Sequence, residues 1–145
     1  MKLLWKALSA KLIADTTLIA LLGHTSSDIR IAYWEKEAPP AYPFLAFHDD
    51  VDSPWHENMT TIPQLTRVTF AAFAAVRADC DNILTRLFDL LTQKTATEPN
   101  QYWDISNLEI LNQWTHYRRR GPIEYDDKRQ VFHGILLSEF RWLVR

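Results

Sequence analysis

A chain of 145 residues with 47% hydrophobic side chains is long enough for one core and too apolar to be disordered over most of its length. Sixteen basic against 18 acidic residues give a net charge of −2, which excludes a globally basic nucleic-acid binder. Three glycines (Gly23, Gly121, Gly134) exclude glycine-rich phosphate loops, and the single Cys80 excludes an intrachain disulfide or a cysteine-rich zinc site.

The chain opens on an amphipathic stretch. Leu4, Trp5, Leu8, Leu12 and Ile13 recur at helical spacing, with Lys2, Lys6, Ser9 and Lys11 largely opposite, so a helix with one buried face is predicted. Lys6 and Lys11 also interrupt the apolar run. No window reaches the roughly 18 apolar residues of a membrane helix, so neither export nor membrane insertion is expected. Asp15 is placed to cap a second short helix, Thr16 to Leu22, which Gly23 closes in the left-handed conformation.

A polar turn, His24 to Asp28, precedes a β-branched and aromatic run, Ile29 to Trp34, read as the first strand. Pro39, Pro40 and Pro43 hold the chain extended into a second strand, Phe44 to His48, whose weak alternation suits burial on both faces. Asp49 to Pro63 reads as a long polar loop. Alternation returns from Leu65 to Phe73, with Thr66, Val68, Phe70 and Ala72 on one side of a third strand. Val76 to Gln93 carries Cys80, Ile83, Leu84, Leu87 and Leu91 at three-and-four spacing, beside Val76 and Phe88. Asp79 and Asp81 near its start and Lys94 at its end suit the helix dipole. After a linker at Thr95 to Asn100, Ile105 to Tyr117 reads as a strand broken by Asn107 and Asn112. Arg118 to Arg129 suits a turn or extended loop. Gln130 to Val144 closes the chain as a long strand, with Gly134 read as a bulge and Leu136, Phe140, Trp142 and Val144 on its buried face. The order implies a single α+β domain over 1–145, with a mainly antiparallel sheet of about four or five strands and two main helices packed on one face.

Candidate sites are few. His48, Asp49, Asp50, Asp52 and His56 place ligand types at close spacing, with Trp55 among them. Imidazoles and carboxylates together suit zinc, manganese or iron, and Asp50 with Asp52 suits calcium. The competing reading is a strand that ends in a solvated acidic loop, because the calcium-loop glycine and closing glutamate are missing and Pro54 prevents a helical histidine face. Arg118, Arg119 and Arg120 have the guanidinium forks that grip phosphate, but a short basic turn pairing with acids of this chain or a neighbouring subunit is favoured. Cys80 falls on the apolar helix face as a buried thiol. No nucleophile elbow or recognisable cysteine partner occurs, so no enzyme, metal or cofactor is expected.

Leu8, Leu12, Asp15, Leu18, Leu21, Leu22 and Gly23, the proline-led strand Pro43-Phe44-Leu45, the strand Thr66 to Phe73 running into the helix Val76 to Leu91, and the closing strand Val131 to Val144 together resemble the tail-completion or tail-terminator proteins of long-tailed bacteriophages. The resemblance implies a non-enzymatic virion structural protein, typically a hexameric ring at the head-proximal end of the tail tube. Such a ring stops tube growth, joins the tail to the head connector or stopper protein, surrounds a lumen through which DNA passes, and is assembled in the host cytoplasm. A head-completion or stopper protein of the neck is the nearest alternative. A metal-dependent hydrolase using His48, Asp50, Asp52 and His56 is the alternative from another class. In a ring, the acidic residues Asp49, Asp50 and Asp52 with Trp55, and the basic run Arg118 to Arg120, are candidate interface partners of opposite charge.

Overall fold

The computed structural model describes residues 2–33, 41–49, 64–92, 103–105, 108–116 and 122–144. The chain begins with helix α1 (Lys2–Ala14) and helix α2 (Thr16–Leu22). Leu4, Leu8 and Leu12 of α1 are completely buried, and Trp5 is half-buried. Ile13, expected on the same face, is 42% exposed. It follows Leu12 by about 100° of helical rotation, which carries it past the edge of the buried stripe.

Asp15 caps α2 as expected, its Oδ2 accepting from the Leu18 amide at 3.0 Å. At the other end Gly23 adopts φ 68°, and the His24 amide donates to the Ile19 carbonyl at 3.0 Å, so the terminal carbonyls are closed by a left-handed residue. In the turn that follows, the Arg30 amide donates to His24 Nδ1 at 2.9 Å and the Arg30 guanidinium embraces Asp28.

Among the described residues the sheet has seven strands: β1 (Ile31–Tyr33), β2 (Phe44–Asp49), β3 (Gln64–Ala74), β4 (Trp103–Ile105), β5 (Leu108–His116), β6 (Glu124–Asp126) and β7 (Val131–Val144). Their order is β1-β2-β3-β7-β5-β4, with β6 beside the first residues of β7. Only β1 and β2 run parallel among these pairs. The class is α+β with a mostly antiparallel sheet. Five of the strands are those expected from the sequence; β4 and β6, three residues each, are additional.

The extra strands revise two readings. Ile105 does not begin the strand that ends near Tyr117: it closes β4, which runs antiparallel to β5 with Ile105 opposite Leu108; the expected break at Asn107 lies outside the described residues. The second break is a register shift between Ile110 and Asn112 against β7. Likewise the stretch from Arg118 to Arg129 is not all loop, because Glu124 to Asp126 pair with Val131 to His133 as a hairpin.

Helix α3 (Arg77–Thr92) is the keystone of the helical layer. Cys80, Ile83, Leu84, Leu87, Leu90 and Leu91 are buried, whereas Val76, just before the first turn, is 53% exposed. With α1 and α2, this helix covers Leu45, Phe47, Val68, Phe70, Ala72, Ala74, Leu136 and Phe140, one face of the sheet at period two. A completely buried leucine in such a cluster contributes roughly 2–5 kcal/mol against alanine.

Gly134 is not a bulge. Its pairing with Ala72 sits inside an uninterrupted β3–β7 register, and its role is close approach. A Cβ at this position would overlap Leu84 Cδ1 and lie 3.4 Å from both Cys80 Sγ and Ile123 Cγ1. The missing side chain lets α3 settle onto β7.

The opposite face of the sheet carries a second, smaller cluster of Phe44, Ala46, Ala71, Phe73 and Val131, with Ala32 and Tyr42 against it. Phe44 to Phe47 are therefore buried on both faces, as their weak alternation predicts.

Candidate functional site

Of the residues singled out in the sequence, Asp49 lies at the end of β2, opposite Val68 of β3. Asp50, Asp52, Trp55, His56, Arg118, Arg119 and Arg120 lie outside the described residues. The strands that lead to them are described, and their registers fix where the two charged segments are anchored.

Strand β7 serves as a ruler. The acidic segment is held between Asp49, in the row of Val68 and Ser138, and Gln64, which pairs with Trp142 near the end of β7. The basic segment is held between His116, which pairs with Leu137, and Glu124, which pairs with His133 near the start of β7. Because β2 and β5 run in opposite senses, the chain leaves them toward opposite ends of the sheet. The far anchors, Gln64 and Glu124, are nine positions apart along β7, about 30 Å at the usual strand rise. The near anchors, Asp49 and His116, lie in adjacent rows along β7, those of Ser138 and Leu137, so the two segments share a level at one anchor and diverge at the other.

At the Glu124 end, the hairpin of β6 and β7 carries a polar and aromatic cluster that the sequence reading missed. Asp126 Oδ1 accepts from the Lys128 amide at 3.0 Å and from the Arg129 amide at 3.3 Å, which organises the turn. Gln130 completes it with φ 55°, a left-handed residue that is not glycine. The His133 ring stacks on Phe73 of β3, with centroids 4.7 Å apart and planes inclined by 11°. The Arg129 guanidinium carbon lies 5.4 Å from the centroid of the same Phe73 ring, and Asp126 approaches Arg129 at 3.8 Å. Burial, and then the neighbouring Arg129 charge, hold the His133 imidazole below its ordinary value, against the weaker pull of Asp126 and Glu124. On the helical side Tyr125 packs edge-on against Phe132 with centroids 5.1 Å apart, and is itself 51% exposed. The signal for this cluster was an aromatic pair held in register across a strand too short to show periodicity.

A second aromatic group lies at the β1 edge, where Trp5, Tyr33, Phe47 and Phe70 form a chain of ring contacts with centroids 5.1 to 6.1 Å apart. Tyr33 is 42% exposed there. The Cys80 thiol is buried on the sheet side of α3, as its position on the apolar face predicts, and donates to the Ala72 carbonyl at 3.5 Å. Among the described residues no group of three or more His, Cys, Asp or Glu side chains is arranged to hold a metal ion. No described helix is long and apolar enough to cross a membrane.

No family model matches the chain, and no curated protein does either. Among solved structures, the chain is similar to one chain of the virion of a native gene transfer agent particle, with a TM-score of 0.60 and 15% identity. The match covers 92% of this chain and 90% of that one. At this identity the likeness is one of fold, and it spans both the helical layer and the sheet.

Proposed function

We propose that the chain is a virion structural protein that forms a ring at the head-proximal end of a phage tail tube, ends tube growth and joins the tail to the head connector. The observation that carries the virion part is the fold shared over nearly the full length of both chains with a component of a gene transfer agent virion. The tail-end part rests on the resemblance of Leu8 to Gly23, Pro43 to Leu45 and the closing strand to tail-terminator proteins.

The role is one of binding, without catalysis. Its partners are further copies of the chain, typically in a hexamer, the tail tube protein, and a connector or stopper protein, with DNA passing through the lumen. Divergent anchors for an acidic and a basic segment support head-to-tail contact between copies, the geometry that closes a ring when the rotation between neighbours is cyclic. Exposed aromatic side chains such as Tyr33 and Tyr125 suit protein contacts.

Native mass measurement and negative-stain imaging of the purified protein, alone and with tail tubes, test the reading. A ring that caps one tube end and stops elongation is the expected result. A monomer that never binds tubes would overturn it, and a ring that binds head connectors but not tube ends would assign the chain to the stopper class instead.

A further inference from the structure

We infer that the β6–β7 hairpin is a proton-sensitive latch, held against β3 while the His133 imidazole is neutral and loosened when that ring takes up a proton. The geometry places a titratable ring where the hairpin meets Phe73 of β3, beside the Arg129 contact with the same ring and the buried Val131. His133 stacks on Phe73, and its Nε2 is buried with no hydrogen-bond partner among the described residues. A neutral ring protonated on Nδ1 fits this site, leaving only an acceptor lone pair inside. A second proton would turn Nε2 into a buried charged donor with nothing to receive it, and such a group is costly to keep dry.

The surrounding charges do not rescue the cation. From the turn, Arg129 addresses the same Phe73 ring and repels it, with Lys128 exposed beyond. From β6, Glu124 and Asp126 attract it, but Glu124 is exposed and Asp126 is engaged by the turn amides and by Arg129. From β3 the facing residue is Phe73, and from the segment before β2 it is Tyr42, whose ring is 6.4 Å from Phe73. Release of the contact would loosen the turn and Glu124, the anchor of the basic segment, while Tyr125 stays on Phe132 against the helical-side cluster. A local loss is expected, because α3 and the β2–β3 pair are held by the separate cluster on the other face.

Site-resolved NMR on the intact chain tests this. As pH falls from about 8 to about 5, the His133 ring should titrate below the ordinary imidazole value. Amide protection factors of Glu124 to Asp126 and Val131 to His133 should drop in step with it, while those of β2 and α3 hold. His133→Phe keeps a stacked ring that takes no proton, and should abolish the pH dependence of hairpin protection. His133→Gln serves as a second neutral variant should the phenyl ring repack. Hairpin protection that is constant with pH in the unaltered protein would overturn the inference, as would a pH-dependent loss that persists in both variants.

Discussion

The Arg86 guanidinium on α3 clasps both carboxylate oxygens of Asp15, donating from Nε to Oδ2 at 2.9 Å and from Nη2 to Oδ1 at 2.6 Å. Asp15 is thus cap and clamp at once: it also accepts the Leu18 amide, so one side chain starts α2 and ties it to α3 across 71 positions of sequence. The pair is worth more than an exposed ion pair because its geometry is bidentate and the Asp15 side chain is only 10% exposed. Asp15→Ala should cost about 2 kcal/mol, the upper range for loss of a cap. Asp15→Asn keeps a capping oxygen and should cost less, about 1 kcal/mol. Denaturant unfolding of both variants and of Arg86→Ala checks the order; equal losses for Asn and Ala at position 15 would mean that the cap contributes nothing.

The same clasp makes part of the stability acid-labile. The Arg86 hydrogen bond, helped by the Leu18 amide and opposed by burial, holds the Asp15 carboxyl below its ordinary value of 3.8. The folded state therefore binds this proton more weakly than the unfolded chain does, and the contribution is complete above the unfolded value and lost as pH falls through the folded one. Unfolding free energies of the unaltered protein and Asp15→Asn should run parallel above about pH 5 and converge below about pH 4. A gap that stays constant into acid would assign the effect of the substitution to packing.

Two glycines should fail for different reasons when given a methyl group. Gly23 has φ 68° and open space around its Cβ position, so Gly23→Ala carries only the left-handed backbone penalty, about 1 kcal/mol. Gly134 has ordinary backbone but is roofed by Leu84, Cys80 and Ile123, so Gly134→Ala must move the Leu84 methyl out of its present position, at about 1 to 3 kcal/mol. Shortening the roof separates the cases. Leu84→Ala should reduce the cost of Gly134→Ala in a double-mutant cycle and leave that of Gly23→Ala unchanged.

The helices and long strands were legible because burial imposes a period on them. Leu4, Leu8, Leu12, Cys80, Ile83, Leu84, Leu87 and Leu91 all face the sheet, and the alternation of β3 sorts its two faces correctly. What escaped has little or no period. Three residues of β4 or β6 cannot display an alternation. A glycine inside a strand announces equally a bulge and a close approach, and only the helix lying over Gly134 distinguishes them. The Asp15 cap was readable from local spacing, while its clamp on Arg86 required the packing of α2 on α3. Similarly, the stack of His133 on Phe73 depends on a cross-strand register that neither segment carries alone. The candidate interface was read from charge and aromatic content in Asp49 to Trp55 and Arg118 to Arg120, of which only Asp49 is among the described residues. The arrangement of their anchors could not be read, because it is set by strand order.

That arrangement makes the interface testable by charge exchange. If the acidic segment of one copy meets the basic segment of the next, reversing either sign should oppose assembly and reversing both should restore it. Asp50→Lys with Asp52→Lys, and separately Arg118→Glu with Arg119→Glu and Arg120→Glu, should each raise the concentration needed for ring formation by about tenfold, roughly 1.4 kcal/mol per contact. A chain carrying all five changes should assemble near the original concentration. Mixing the two single-sign variants should also give mixed rings, because each then supplies the complementary edge its neighbour lacks. Raising salt from about 0.1 to about 1 M should weaken the unaltered ring and narrow the differences among variants, since the screening length falls from about 10 to about 3 Å. Trp55→Ala should weaken assembly at either salt concentration, as loss of an aromatic anchor does. Sedimentation velocity over a dilution series reads all of these. Failure of the five-change chain to recover, with each parent impaired, would separate the two segments into contacts with different partners.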